Sequence, residues 1–279
     1  DIVLRQRAAG PFLKWAGGKT QLVDQLRPLF PTSAGRYFEP FLGSGAVFFA
    51  LGHGLGNRPA RLSDSNPHLI NCFMAVRDDP DRLLAKLKDH SERHRKEYYY
   101  EVRAAGLEAG EPAERAARFI YLNRTCFNGL FRLNRRGQFN VPIGRYTNPR
   151  IWNPEIIQAA NEMLQGVELA CEGFDVAVAE AGSGDFVYFD PPYDPLSSTS
   201  SFTAYTKDSF GRKEQYALAG CVTDLTRRGV KVALSNSATP FIRDLYGGGY
   251  RMVTVSARRR INSRAEGRGP TDEVVVLNY

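Results

Sequence analysis

The residues best placed to do chemistry stand together at Asp185–Tyr193, DFVYFDPPY. Phe186, Val187, Tyr188 and Phe189 form a short apolar run that ends abruptly on Asp190, Pro191, Pro192 and Tyr193. Such a run, closed by two residues with no N–H to donate, reads as an inner strand of an α/β sheet. The prolines fix the backbone beyond it, so Asp190, the Pro191 carbonyl and the Tyr193 ring share one rigid mouth. Ligands of open α/β sheets bind at that carboxyl edge. Two acceptors beside an aromatic face suit a flat ring bearing an exocyclic amine. A lone Asp-Pro-Pro is more simply a surface turn, so the reading depends on partners elsewhere in the chain.

Three earlier stretches supply them. In PFLKWAGGK, two glycines allow close backbone approach, Lys19 can meet an anion and Trp15 can cover an apolar or cationic surface. Helical spacing at Leu22, Leu26 and Leu29 predicts that this loop feeds a helix N-terminus. It is not a Walker loop, because the first glycine of that motif is missing. In RYFEPFLGSGAVFFAL, a short strand (Tyr37, Phe38) ends at Glu39-Pro40, and the Gly43/Gly45 turn leads into an apolar helix. The order resembles a dinucleotide-type strand–turn–helix with fewer glycines. Asp64 then ends a second strand, where an acid can hold ribose hydroxyls or cap the next helix.

The elements that must position these residues follow the same order. Residues 67–118 carry apolar residues at helical spacing, which interrupts the sheet. Residues 115–154 contain eight arginines and no Asp or Glu, in a chain with 30 acids. Aromatic and asparagine residues are interleaved there. Arginine without counter-charge fits a phosphate backbone, and Arg and Asn also read base edges. The plainer account, a basic face with aromatics filling a core, covers some of these residues. Beyond residue 155 come strands at Val167–Cys171 and DFVYFDPPY, and a polar loop at 194–211 that is a candidate lid. A helix over Arg212–Arg227 and strands at Val230–Leu234, Tyr250–Val255 and Glu273–Leu277 follow, with a basic loop at Arg258–Arg268. The expectation is an α/β fold: a mostly parallel sheet with an antiparallel hairpin at one edge.

Composition bounds the class. The 279 residues suffice for one large α/β domain with an insertion, or for two domains. The net charge of +7 comes mostly from 29 Arg against 8 Lys. No apolar run reaches membrane-spanning length and no signal peptide opens the sequence. Four scattered cysteines without a C-x-x-C pair predict a reduced, cytosolic-type protein without structural zinc. His90 and His94, at i and i+4, read as a solvated helix face.

Taken together, PFLKWAGGK, YFEPFLGSGAVFF, LSDSNPHLI, YLNRTCFNGLFRLNRRGQFNVPIGRY and FVYFDPPYDPLS resemble, in content and order, the Dam-type DNA adenine-N6 methyltransferases. The resemblance covers nearly the whole chain. It implies a Rossmann-like methyltransferase domain over 1–66 and 155–279, with a helical target-recognition domain inserted over 67–154. It implies S-adenosyl-L-methionine as cofactor, no metal, double-stranded DNA as substrate, a monomer, and a cytoplasmic, nucleoid-associated location. Trp15, Lys19, Asp64 and Asp190 would contact the cofactor, Glu39, Gly43 and Gly45 would shape its pocket, and Phe174 would flank its adenine. The catalytic set would be Asp190, Pro191, Pro192 and Tyr193, which would receive an adenine flipped from the duplex. Residues matching the GATC-reading positions are Lys14, Leu130, Arg132, Pro142 and Tyr146. Asn128, Asn134, Asn140 and Arg145 would contact phosphates or stabilise the site. Phe127 would fill the gap beside the flipped base; relatives often carry tyrosine there, so the stacking face stays and a hydroxyl is lost. A cytosine-N4 methyltransferase is the nearest rival and usually reads SPPY. A non-catalytic DNA-binding protein would not need the Trp15–Lys19–Asp64–Asp190 set. RNA or protein-glutamine methylation suits the arginine-rich segment less well.

Overall fold

A computed structural model describes residues 9–52, 58–195, 210–257 and 271–279. Most of the candidate lid at 194–211, namely residues 196–209, and the Arg258–Arg268 loop lie outside the described residues. The strands are β1 (Tyr37–Glu39), β2 (Ala60–Asp64), β3 (Glu168–Cys171), β4 (Phe186–Phe189), β5 (Lys231–Ser237), β6 (Arg251–Ala257) and β7 (Thr271–Leu277). They form one sheet in the order β3-β2-β1-β4-β5-β7-β6. β1, β2, β4 and β5 are parallel neighbours, whereas β7 runs antiparallel to both β5 and β6. The expected mostly parallel sheet with an antiparallel edge is therefore present. The chain divides into two compact units: Asp1–Gly18, Gly43–Gly54 and Asn66–Cys171 form one, and Lys19–Leu42, Leu55–Ser65 and Glu172–Tyr279 the other.

In the second unit, β4 is buried at all four positions, as an inner strand must be. Val187, Phe189, Val232, Leu234, Val274 and Val276 present one face of the sheet. They pack with Leu218, Val222 and Leu225 of α9 (Arg212–Arg227) and with Ile242 and Tyr246 of α10 (Pro240–Tyr246). α9 has the bounds expected from its spacing. α10 was not anticipated, although its signals are in the sequence: Thr239 caps the Ile242 N–H, and Pro240 fills a first-turn position that needs no donor.

The helix expected after the Gly-Gly loop is broken into a 3-10 turn (Lys19–Gln21), a four-residue α1 (Val23–Leu26) and a second 3-10 turn (Arg27–Leu29). Pro28 offers no N–H to continue an α ladder. β5 also runs on through Ser235, Asn236 and Ser237, all buried. The expected strand ends at Leu234. The three polar residues remain in the strand because each side chain has a hydrogen-bond partner within the unit.

Among its described residues the first unit is mostly helical, with β3 and an irregular, bridged stretch over 126–153. α3 (Pro67–Asp78), α4 (Pro80–Arg93), α5 (Lys96–Ala104), α6 (Pro112–Thr125) and α7 (Pro154–Leu164) follow α2 (Ala46–Leu51). Residues 67–154 fall within this unit. α6 is buried around most of its circumference and packs on α3, α4 and α5. The i, i+4 histidines are not a solvated face, which corrects the sequence reading. His90 stacks on Tyr121 with ring centres 4.8 Å apart and bonds the Tyr98 hydroxyl at 2.8 Å. His94 bonds the Tyr121 hydroxyl at 2.9 Å. Burial pulls His90 down to about pH 4, which keeps it neutral. Spacing alone could not reveal that tyrosines from α5 and α6 cover this face.

Candidate active site and nucleic-acid interface

Three adjacent parallel strands of the second unit end on carboxylates. β2 ends at Asp64, β1 at Glu39, and β4 runs directly into Asp190. Parallel strands deliver their carboxyl ends to one edge, so the three acids reach that edge together. Capping does not account for Asp64, because Asn66 caps α3 by accepting from the His68 and Leu69 N–H groups. The Glu39 carboxylate accepts the Tyr37 hydroxyl at 2.7 Å and is 2 % exposed. Phe174, at the start of α8 (Phe174–Ala177), stacks on Phe41 just beyond β1, with centroids 5.6 Å apart. Acids at the strand ends and an aromatic pair beside β1 suit a ligand carrying positive charge, hydroxyls and a flat ring.

Lys19 is the counter-charge at this edge. It is 4 % exposed, its Nζ lies 2.9 Å from Asp190 Oδ1, and it sits 4.5 Å from the centre of the Tyr193 ring. The ion-pair distance is short, yet Asp190 Oδ1 has no hydrogen bond of acceptable direction among the described residues. Geometry decides between the two observations: the ammonium neutralises the carboxylate without filling the lone pair of Oδ1. A buried acceptor left in that state is aimed at a donor from outside the chain. Burial pushes the Asp190 carboxyl up to about 6, against the pull of Lys19 and with Glu273 adding to the rise.

The mouth is held from behind by groups that sequence reasoning missed. Gln215 on α9 donates to the Pro192 carbonyl at 2.9 Å and accepts from Asn236 Nδ2 at 3.1 Å. Asn236 Oδ1 accepts the Asp194 N–H at 3.1 Å. Ser237 Oγ donates to the Asp194 carbonyl, and Thr239 Oγ1 to the Asp194 carboxylate at 2.7 Å. Glu273 on β7 accepts the Tyr193 hydroxyl at 2.6 Å and lies 4.0 Å from Lys19 Nζ. The available signal was chemical: an acid opening the apolar run VVVL, and the polar tail Ser-Asn-Ser on a buried strand. Pro191 and Pro192 follow Asp190 directly, in an irregular segment beyond the end of β4.

The first unit carries the remaining predicted residues. Gly43 and Gly45 both have left-handed φ, +51° and +70°. A Cβ at Gly43 would stand 2.9 Å from the Trp15 ring, so the turn requires glycine on both counts. Trp15 also stacks on Phe131 at 5.8 Å. Lys14 is tied to α6 through Asn123, which accepts from the Lys14 N–H at 2.8 Å and donates to its carbonyl at 2.7 Å. Its ammonium lies 3.9 Å over the Tyr146 ring, so two predicted base-reading residues meet.

Residues 126–143 fold back on themselves through bridges Cys126–Ile143 and Leu133–Phe139. Asn128 takes a left-handed φ of 54°. The Pro142 carbonyl accepts the Phe127 N–H at 2.8 Å. Asn134 closes the tip: its Oδ1 accepts from Arg136 and Gln138, and its amide donates to Gln138. Its side chain thus serves the loop itself. Arg132 donates through Nε to Asn140 Oδ1 at 2.7 Å, which holds the guanidinium at the exposed surface. Arg132, Arg135, Arg136, Arg145 and Arg150 are all exposed, and among the described residues none makes an ion pair. Phe127 is 48 % exposed and Leu130 40 %. Apolar side chains on show between unpaired arginines are the components of a surface that grips phosphates and wedges or stacks on bases.

Known proteins share this chain's pattern along nearly its whole length. Residues 15–261 match the family model described as D12 class N6 adenine-specific DNA methyltransferase. The chain is 41 % identical over 275 residues to the Type II methyltransferase M1.LlaDCHI of Lactococcus lactis subsp. cremoris, covering 96 % of this chain and 95 % of that one. It is 40 % identical over 286 residues to the Type II methyltransferase M.MjaIII of Methanocaldococcus jannaschii, covering 96 % and 99 %. It is 37 % identical over 270 residues to the DNA adenine methylase of Escherichia coli (strain K12), covering 95 % and 94 %.

Proposed function

Since this chain belongs to the D12 class N6 adenine-specific DNA methyltransferases, we propose that it methylates adenine N6 within GATC in duplex DNA, using S-adenosyl-L-methionine. The observation that carries the reading is the buried Asp190 Oδ1, an acceptor held beside Lys19 with no hydrogen-bond partner among the described residues. The Pro191 carbonyl and Asp190 accept the two N6 hydrogens of a base turned out of the stack, and the Tyr193 ring covers its face. Accepting both hydrogens leaves the nitrogen lone pair as the exposed, reactive feature. That nitrogen must shed a proton once it gains a carbon, and a carboxylate at about pH 6 is suited to receive it. Burial and the phenol's acidic neighbours raise Tyr193 far above its ordinary range, so its hydroxyl stays protonated and donates to Glu273.

The strand-end acids fit the cofactor. Asp64 would hold its ribose hydroxyls, Phe174 would flank its adenine, Trp15, Lys19 and Asp190 would contact it, and Glu39 with the Gly43/Gly45 turn would shape the pocket. When bound, S-adenosylmethionine supplies a methyl group on a positively charged sulfur. No covalent enzyme intermediate is needed; the residues act by positioning and charge.

Residues 67–154 would form the recognition domain, with 1–66 and 155–279 catalytic. Lys14, Leu130, Arg132, Pro142 and Tyr146 would read the site, supported by the resemblance of this segment to GATC-reading relatives. Asn128, Asn140 and Arg145 would contact phosphates or hold the reading residues, Asn134 would shape the loop, and Phe127 would fill the gap left by the flipped base. We place the enzyme in the cytoplasm as a monomer. Among the described residues no helix is long and apolar enough to cross a membrane, and no cluster of metal-binding side chains occurs.

The test is incubation with methyl-labelled S-adenosylmethionine and unmethylated duplexes that contain GATC or a single-base variant of it. The products are hydrolysed and digested with nucleases sensitive to, or dependent on, GATC methylation. N6-methyladenine in GATC alone is the expected product. N4-methylcytosine would overturn the chemistry, and label in the variants alone would overturn the site.

A further inference from the structure

Glu273 opens the apolar part of β7, opposite Ser237 on one neighbouring strand and Val255 on the other. The next four residues are Val274, Val275, Val276 and Leu277, all buried. Packing alone would favour another aliphatic residue at this position, because a carboxylate 15 % exposed has lost much of its hydration. Its Oε2 accepts the Tyr193 hydroxyl at 2.6 Å and stands 4.0 Å from Lys19 Nζ. Lys19 in turn lies 2.9 Å from Asp190 and over the Tyr193 ring. Four side chains therefore close a circuit in which two carboxylates share one ammonium.

Resting on the methyl-transfer reading of this site, we propose that Glu273 is a positioning residue for it: the carboxylate fixes the Tyr193 ring through its hydroxyl and competes with Asp190 for the Lys19 charge. The groups facing Asp190 agree with the second role. Lys19 favours its ionised form and Glu273 opposes it, while Tyr193, Tyr188 and Tyr37 face it as neutral phenols, with Glu39 beyond Tyr37. Removing the Glu273 charge takes a like charge away from Asp190 and lessens the competition for Lys19, and should make the carboxyl more acidic.

The experiment uses the full chain and the variants Glu273→Gln, Glu273→Ala and Tyr193→Phe. Asp190 is titrated in the free protein by carbon-13 NMR of labelled aspartate, its signal assigned by loss in Asp190→Asn. The wild-type midpoint is expected near pH 6. In Glu273→Gln it should fall by about one pH unit, the size of a single charge interaction at several ångströms in a partly screened site. An unchanged midpoint overturns the proposal. Positioning is read separately as kcat/KM at pH 8. Glu273→Ala should lose about 5- to 100-fold, as should Tyr193→Phe, while Glu273→Gln, which keeps an acceptor for the phenol, recovers most of the loss. Equal defects in Glu273→Ala and Glu273→Gln would overturn the positioning role. The titration needs neither DNA nor methyl donor, so it decides the charge coupling even if the chain methylated nothing, an outcome that would sink the methyl-transfer reading by itself.

Discussion

Replacing Lys19 by methionine tests the electrostatics of the site in a way that packing cannot imitate. Lys19 is 4 % exposed and lies 2.9 Å from Asp190, which is 18 % exposed. The folded-state value for Asp190 is about 6, above the ordinary 3.8, so the folded protein holds this proton more tightly than the unfolded chain does. The stability it contributes is therefore full below pH 3.8, is lost as pH rises to about 6, and is constant beyond. At about 1.4 kcal/mol per pH unit, the loss amounts to about 3 kcal/mol at neutral pH. Without Lys19 the carboxyl titrates higher and the loss continues to grow with pH. It is capped by the cost of protonating an ordinary aspartate, about 4 kcal/mol at pH 7. The variant should thus match the parent at pH 5, lose up to about 1 kcal/mol at pH 7 and up to about 3 kcal/mol at pH 8. Urea unfolding followed by circular dichroism at the three pH values measures this directly. The acid limb of methyl transfer should move to higher pH in the same variant. An equal loss at pH 5 and pH 8 would mean that Lys19 is held for its shape, and charge compensation of Asp190 by Lys19 would be refuted.

Other perturbations address the remaining parts. Asp64→Ala should weaken S-adenosylmethionine binding by roughly 1–3 kcal/mol in calorimetry, because a charged acceptor for the ribose hydroxyls is lost; unchanged affinity would remove Asp64 from the pocket. Arg132→Ala should cost about 1–3 kcal/mol on the cognate site and relax discrimination at one base pair. Arg145→Ala should weaken all sequences alike and flatten the salt dependence by about one unit; if both variants behaved like the second, Arg132 would be a phosphate clamp. Gln215→Leu leaves the part-buried Pro192 carbonyl and the buried Asn236 amide without their partner, so urea unfolding should show about 1–3 kcal/mol lost. A negligible change would show that the mouth is rigid without α9.

The strongest features were legible in sequence because they rest on local chemistry. Two prolines after FVYF must end an inner strand, and β4 ends there. Glycines at 43 and 45 must make a turn, and both adopt left-handed φ. The acid-free run at 115–154 forecast exposed, unpaired arginines, and five of its eight arginines are of that kind. Only tertiary structure could decide which distant groups meet. Glu273 and Lys19 are far apart in the chain, yet both stand at Tyr193. The pairing of β7 with β5 and β6 fixes the strand that carries Glu273, and no periodicity encodes that partner. The expected strand stops at Leu234, short of Ser235–Ser237, because burial of polar groups is unfavourable until their partners are known. His90 and His94 read as solvated for the converse reason, since the tyrosines that cover them come from two other helices. Local sequence sets which groups are available and how the backbone turns beneath them. Long-range pairing decides which of those groups share a site, and with that their charge states, because desolvation and neighbouring charge arise only on folding.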